Sequence, residues 1–180
     1  MTVVYVKRVP AEVKSLRLKR KNHSQAAREL LAFALDVEYG LKLSELTEKR
    51  EEKGKPYLEG VSVHYNLSHS GDYAVCALSD RRVGVDVEKI TPISVKVMRR
   101  FFGKTVFSPR EQMRLWTRYE SYGKMMGHGI PYPVGSEIDC YYREYTSLEH
   151  YFITVCSESD EFADELILAE DTSRMLPSGN

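Results

Sequence analysis

Cysteine is scarce in this chain: Cys76, Cys140 and Cys156 are the only three among 180 residues. Their number is odd and no Cys-x-x-Cys spacing occurs, which argues against a zinc site or a disulfide framework and for a reducing compartment. A surplus of either charge is also lacking, since Lys plus Arg total 26 and Asp plus Glu total 26. A dedicated nucleic-acid binder would carry a basic excess, although a neutral chain can still hold a local basic pocket for one phosphorylated ligand. No run comes near the roughly eighteen apolar residues of a membrane span. The opening MTVVYVKRVP is soon charged and has no apolar signal-peptide core. These absences predict a soluble, cytoplasmic protein with neither nucleic acid nor membrane as a partner. Two catalytic signatures are missing as well, the Gly-x-Ser-x-Gly elbow of serine hydrolases and the glycine spacing of a P-loop.

What is present suffices for a folded core, with 42% hydrophobic residues. Twelve tyrosines against one tryptophan suit grooves that stay partly wet. Thr2 to Val6 reads as a strand. Ser24 caps a helix through Ala26, Leu30, Leu31, Ala34 and Leu35, which stops at Gly40. The charged segment Thr47 to Lys55 is a surface loop turning into an extended stretch at Gly54-Lys55-Pro56-Tyr57. Val63 to Leu67 is a short strand and Ser68 to Asp72 a loop. Tyr73 to Leu78 and Val83 to Val87 are strands expected to pair as a hairpin across the Ser79 to Arg82 turn. Ser94 to Phe102 is a helix with Val97, Phe101 and Phe102 inward. Ser108-Pro109 starts another, with Ser as N-cap, Pro at the first helical position and Glu111 in the first turn. That helix carries Trp116, Glu120 and Lys124 and stops near Gly127 and Gly129. Val134 to Tyr145 and His150 to Cys156 form a last antiparallel pair, and the tail from Asp171 is polar and frayed. A faint echo of Asp72-Tyr73-Ala74-Val75-Cys76 in His150-Tyr151-Phe152-Ile153-Thr154 fits two related α+β halves.

Four constellations bear on chemistry. Asp86 and Glu88 lie two apart on a strand and so share a face, with Val85 and Val87 on the other. Two carboxylates that close repel unless a cation lies between them, and hard oxygen ligands suit Mg²⁺; the bland reading is a solvated strand face. Glu120 and Lys124, at i and i+4, share a helix face with Trp116. Either they are a surface ion pair, or a metal ligand or base beside a cation for developing phosphate charge. Asn66-Leu67-Ser68-His69-Ser70 puts a hydroxyl and an imidazole at a strand end, fit for phosphate oxygens or for a capped turn with a satisfied histidine. Gly54-Lys55-Pro56 offers close backbone approach, a point charge and a stiff loop, or simply a turn.

In order, Gly54-Lys55-Pro56, Asn66-Leu67-Ser68-His69-Ser70, Gly84-Val85-Asp86-Val87-Glu88, Phe101-Phe102 and Trp116-Thr117-Arg118-Tyr119-Glu120-Ser121-Tyr122-Gly123-Lys124 form a pattern similar to the 4′-phosphopantetheinyl transferases of the larger, surfactin-synthetase-activating type. The resemblance spans about residues 20 to 157. It implies an α+β fold with a pseudo-twofold arrangement of two similar halves, each a small antiparallel sheet packed with helices, divided here as 1–90 and 91–180. Coenzyme A would bend into the cleft between them. It implies Mg²⁺, with Mn²⁺ as the other option, on Asp86, Glu88 and Glu120, and Lys124 on the phosphate being transferred. Ser68, His69, Lys55 and Pro56 would hold the adenosine and its 3′-phosphate, with Arg28, Arg17, Lys19 and Arg20 adding positive charge. Met125, Met126 and Ile130 would form part of a docking surface for an apo-carrier protein, or else plain core.

The implied reaction moves the 4′-phosphopantetheine arm of coenzyme A to a serine of an acyl, polyketide or peptidyl carrier protein and releases 3′,5′-ADP, the enzyme acting as a monomer. One position departs from the pattern: Tyr119 stands where the family's helix motif has lysine. A phenol carries no positive charge at neutral pH, so either Arg118 or another cation substitutes or phosphate is held more weakly. Two other readings stand beside the transferase: a degenerate relative that binds coenzyme A or carrier proteins without turnover, and a different Mg²⁺-dependent phosphodiester enzyme.

Overall fold

Burial alternates along the strands and decides where they go. β1 (Val3–Arg8) places Val3 and Tyr5 in one apolar cluster and Val4 and Val6 in another, and β5 (Tyr73–Ser79) does the same with Cys76 and Leu78 against Val75 and Ala77. Strands apolar on both faces belong inside a sheet covered on both sides. The computed structural model describes residues 1–9, 16–103, 108–128, 130 and 140–169, with side chains in the first helix from 21 onward. In it β1 and β5 are the inner strands of a four-stranded sheet ordered β4-β5-β1-β9, with β4 (His64–Ser70) and β9 (Ile167–Leu168) at the edges. The β4–β5 and β1–β5 pairs are antiparallel and β1–β9 is parallel.

α1 (Leu16–Tyr39) covers one face of this sheet, with Leu30, Leu31, Ala34 and Leu35 at helical spacing and fully buried against Tyr5, Tyr65 and Leu78. The other face meets a second sheet of β6 (Val83–Lys89), β8 (Tyr151–Ser157) and β7 (Tyr141–Tyr145), antiparallel in the order β6-β8-β7. Val83, Val85, Val87, Ile153 and Val155 join Val4, Val6, Val75 and Ala77 in the core between the sheets. Each such valine or isoleucine contributes about 1.5–3 kcal/mol when fully buried. α3 (Pro109–Met126) lies on the outer face of the second sheet, where Tyr122 and Met125 pack on Cys156, and the Thr117 and Thr154 hydroxyls meet at 2.7 Å. The layers therefore run α1, first sheet, second sheet, α3. α2 (Val95–Phe102) sets Phe101 and Phe102 against Trp116 and Tyr119 of α3, and a short ribbon of β2 (Glu48–Arg50) and β3 (Pro56–Leu58) leads into β4.

Several local readings hold in this structure. Ser108 caps α3 in a capping box with Glu111, Pro109 opens the helix, and Gly127 closes it at φ 75°. Ser94 caps α2, where the fully buried residue is Met98, with Val97 only half-buried. Others are corrected. The Tyr73–Leu78 and Val83–Val87 segments do not pair as a hairpin. Their apolar faces stack across the two sheets, β5 pairing with β4 and β1, and β6 with β8. The hairpin is instead β4–β5, turned by Gly71 and Asp72 with Gly71 at φ 57°, so Ser68 to Ser70 lie in a strand rather than a loop. α1 starts eight residues before Ser24. The Tyr141–Tyr145 part of the expected final pair forms with β8. The parts of that reading before Cys140, Gly129, and the tail from Asp171 lie outside the described residues. Among the described residues no helix is long and apolar enough to cross a membrane.

Candidate active site at the junction of the two sheets

β4 and β6 are each the edge strand of a sheet, and an edge leaves main-chain N–H groups needing partners. Here side chains supply them at every second residue. Asn66 Oδ1 accepts from the Val85 amide at 2.9 Å, Ser68 Oγ from Val87 at 3.4 Å and Ser70 Oγ from Lys89 at 3.4 Å. The same hydroxyls then donate to the β6 carboxylates, Ser68 to Asp86 Oδ1 at 2.9 Å and Ser70 to Glu88 Oε2 at 2.8 Å. One strand thus fixes both the backbone and the acidic side chains of the other.

With Val83, Val85 and Val87 in the core, Gly84, Asp86 and Glu88 face α3. Lys124 of α3 donates to Asp86 Oδ1 at 2.6 Å and to Ser68 Oγ at 2.9 Å, and its ammonium lies 3.9 Å from Glu120 Oε2. Asp86 is 2% exposed, and its second oxygen, Oδ2, has no hydrogen-bond partner among the described residues. Burial, then the nearby Asp86 charge, raises Glu88 above the ordinary carboxylate range, against a lowering by Ser70 and Lys124. Glu120 is pushed up to about 7 by burial first and Asp86 second, with Glu88 adding; Lys124 and a hydrogen bond from Trp116 oppose this. The strand carboxylates and the helix carboxylate therefore feel one another across a half-buried cleft with one ammonium among them. Among the described residues no three His, Cys, Asp or Glu side chains close around a single point tightly enough to form a finished metal site. Such a cluster of carboxylates with a cation at its edge suits a phosphorylated ligand that brings its own counter-ion, and a carboxylate titrating near neutrality suits proton transfer.

The remaining expected site residues lie at varying distances from this cluster. Ser68 is at its centre. His69, next along β4, stacks on His23 of α1 at 5.0 Å with the rings 12° apart. Desolvation first, then the neighbouring His23 and Lys124, hold its imidazole below the usual range. His23 itself, which the sequence reading did not single out, bonds the Gly71 carbonyl at 2.9 Å. Arg28 is exposed and pairs with Glu48 at 2.9 Å, a carboxylate that also accepts from Tyr65. Pro56 opens β3 and is half-buried. Arg17, Lys19 and Arg20 fall in the first turns of α1, their side chains outside the described residues. Lys55 is turned inward, 6% exposed, its ammonium on two main-chain carbonyls. Met125 is 1% exposed because α3 presses it onto Cys156, so it is core rather than docking surface; Met126 is half-buried beside it and Ile130 is exposed.

Tyr119 is buried among Phe101, Phe102 and Trp116, so this position serves the packing of α2 on α3. Arg118 does not replace the missing lysine. Its guanidinium stacks 3.9 Å over Tyr142 and lies 3.8 Å from Glu144, on the β7 side of the helix. Ser70 and Trp116 as carboxylate holders were not assigned from sequence, although the period-two run Asn66, Ser68, Ser70 carries a signal for the first.

No family model matches the chain. Known proteins do. A 4′-phosphopantetheinyl transferase of Bacillus subtilis is 30% identical over 164 residues, covering 75% of this chain and 73% of its own length. The 4′-phosphopantetheinyl transferase Sfp of Bacillus subtilis strain 168 is 28% identical over 77% of this chain and 75% of its own. The 4′-phosphopantetheinyl transferase psf-1 of Bacillus pumilus is 34% identical over 59% and 51%. The chain belongs to the 4′-phosphopantetheinyl transferases, in their surfactin-synthetase-activating type, and is an enzyme of that class.

Proposed function

We propose that the cluster around Asp86 is the catalytic centre at which this transferase moves 4′-phosphopantetheine from coenzyme A to a serine hydroxyl of an acyl, polyketide or peptidyl carrier protein, releasing 3′,5′-ADP. The observation that carries the assignment is the joining of β4, β6 and α3 at one point: Lys124 and Ser68 converge on Asp86 Oδ1 while Glu88 and Glu120 crowd the same cleft.

The donor set fits a hard divalent cation. Asp86 Oδ2 is buried without a partner among the described residues, and Glu88 and Glu120, raised first by burial and next by the Asp86 charge, share its cleft. Asp86, Glu88 and Glu120 would hold Mg²⁺, or Mn²⁺, which when bound neutralises diphosphate charge and polarises the phosphorus. Lys124, poised by Ser68 and Asp86, places its ammonium on an oxygen of the phosphate being transferred. Glu120, half-buried beside the Lys124 ammonium, takes the proton of the carrier serine. The serine oxygen bonds to the β-phosphorus of coenzyme A as the bond to the bridging oxygen breaks, and that electron pair leaves with 3′,5′-ADP. Ser70 keeps Glu88 aimed into the cleft. His69 and Arg28, with the cations at the start of α1, take the adenosine 3′-phosphate. Met126 and Ile130 belong to the face that meets the carrier. One sheet under α1 and another under α3 is consistent with two related halves in a pseudo-twofold relation, although β6 and β9 each join the sheet of the other half, so the sheets do not part at the 1–90 and 91–180 division; a fused pair of this kind works as a cytoplasmic monomer.

Incubation with coenzyme A, Mg²⁺ and an apo-carrier protein, followed by mass spectrometry of the carrier, tests this. The expected result is a carrier heavier by one phosphopantetheine arm. Asp86→Ala should abolish the gain while circular dichroism stays native. Folded protein that modifies none of an acyl, a polyketide and a peptidyl carrier refutes the reaction, and undiminished transfer by Asp86→Ala refutes the site. Coenzyme A binding without transfer would select the non-catalytic relative. Release of 3′,5′-ADP without an acceptor would select a phosphodiester hydrolase.

A further inference from the structure

A lysine in a Gly-Lys-Pro turn invites a role on phosphate, but Lys55 is turned away from solvent. Its ammonium donates to the Val83 carbonyl at 2.8 Å and the Met125 carbonyl at 2.7 Å, in a residue only 6% exposed. Val83 opens β6, three residues before Asp86, and Met125 directly follows Lys124 on α3. Both acceptors are main-chain carbonyls, so the single lysine side chain links the backbone of β6 to the backbone of α3. A cation at the carbonyl end of a helix is also favourably placed against the helix dipole.

Three neighbouring features reinforce the tie. Arg82 Nε donates to the same Met125 carbonyl at 3.4 Å, and its Nη2 lies 3.0 and 2.7 Å from the two oxygens of Glu51. The Glu51 amide donates to the Lys55 carbonyl at 2.8 Å, which holds the turn that carries the lysine. Gly84 meets α3 so closely that a side chain there would run into its backbone. Burial, with the Arg82 charge second, also lowers the Lys55 ammonium to about 8, so enclosing it opposes folding and is offset by the two carbonyl bonds. An apolar side chain of similar length could not hold two carbonyls a fixed distance apart.

We propose that Lys55 is a positioning residue: by bridging Val83 and Met125 it sets the spacing of β6 and α3, and with it the contact of Lys124 with Asp86, without touching coenzyme A. The proposal rests on the transferase reading of the same site.

The test is Lys55→Met, with native circular dichroism as the check on folding. Loss of the bridge should lower kcat at least about tenfold, in line with the roughly hundredfold sensitivity of reaction rates to ångström misplacement, while the KM and calorimetric Kd for coenzyme A stay within about twofold. Trp116 is the only tryptophan and lies on α3, so its emission should shift as the helix settles differently. A coenzyme A Kd weakened about tenfold with kcat retained would show direct ligand contact and overturn the proposal, as would unchanged kcat and emission. If Lys55→Met does not fold, Arg82→Met, which removes the other donor to Met125, is expected to show the same split in smaller measure, and no split there overturns the proposal. Wild-type enzyme run alongside separates the two claims. If it modifies no carrier, the transferase reading fails, and the variant's coenzyme A Kd and Trp116 emission still decide on the brace.

Discussion

Gly84→Ala probes the helix–strand contact with a single methyl group. A Cβ built on Gly84 falls inside 3.0 Å of the Ser121 carbonyl oxygen and the Met125 amide nitrogen, and 3.0 Å from the Met125 Cα. These are helix backbone atoms, so no rotamer change relieves the clash, and β6 and α3 must part by on the order of 1 Å. The glycine's own torsions are not left-handed, so strain in φ is not the cause. Overpacking of this kind costs about 1–3 kcal/mol, and rigid obstacles on both sides put this case at the upper end. For a domain of this size that corresponds to a fall in Tm of about 6–12 °C. The same displacement carries Lys124 away from Asp86, and misplacement by about 1 Å lowers a rate roughly a hundredfold. Differential scanning fluorimetry gives the first quantity and the initial rate of carrier modification by mass spectrometry the second. A variant melting within about 2 °C of wild type and turning over at the native rate would show that β6 and α3 do not meet as described.

On the proposed metal assignment, chelation leaves the carboxylate cluster open to titration. Glu120 moves from an ordinary 4.5 to about 7 in the folded state, so between those values the folded chain keeps a proton there that the unfolded chain has lost, and the Glu120 contribution to stability falls as pH rises through that window, against the opposite contributions of His64 and His69. Melting of chelator-treated protein from pH 4.5 to 7.5 should show this decline relative to Glu120→Gln; equal slopes would remove the assignment. Adding Mg²⁺ at pH 7.5 should raise the Tm of wild type by mass action and leave Asp86→Ala nearly unmoved, and an equal rise in both would argue against Asp86 as a ligand. Tyr119→Lys restores the family's usual residue but buries an ammonium among Phe101, Phe102 and Trp116. It should cost about 2–4 kcal/mol and lower Tm by roughly 5–15 °C without raising kcat, whereas a stable, faster variant would refute the packing role.

Much of the site is legible in the chain because it is written in short-range periods. Asp86 and Glu88 share a face through the two-residue repeat of a strand, and Glu120 and Lys124 through the four-residue repeat of a helix. Ser108, Pro109 and Gly127 mark the bounds of that helix by capping chemistry. What the sequence conceals is long-range. Tyr73–Leu78 and Val83–Val87 resemble a hairpin because both are apolar and close together. Yet Val75 and Ala77 are matched to Val83, Val85 and Val87 face to face rather than edge to edge, a choice settled only when β1 and β8 claim the two edges. Met125 and Lys55 mislead for a related reason: nothing local shows that α3 presses the first onto Cys156 or that two carbonyls wait for the second.

The charges at the junction are unbalanced, and the imbalance bears on what the cluster is for. A purely structural ion pair between Lys124 and Asp86 would be expected to satisfy both carboxylate oxygens, because an unmet buried acceptor costs about 1–3 kcal/mol. Instead Ser68 and Lys124 both converge on Oδ1, and Oδ2 is left without a partner among the described residues. Two further carboxylates, Glu88 and Glu120, are raised first by burial and next by the Asp86 charge, with Lys124 opposing both shifts. A fold selected for stability alone would not hold Asp86, Glu88 and Glu120 around one ammonium when an amide at any of the three would relieve the repulsion. The arrangement becomes favourable once additional positive charge enters the cleft. On the proposed function a divalent cation would supply that charge, and the diphosphate oxygens it accompanies would give Lys124 a partner competing with Asp86.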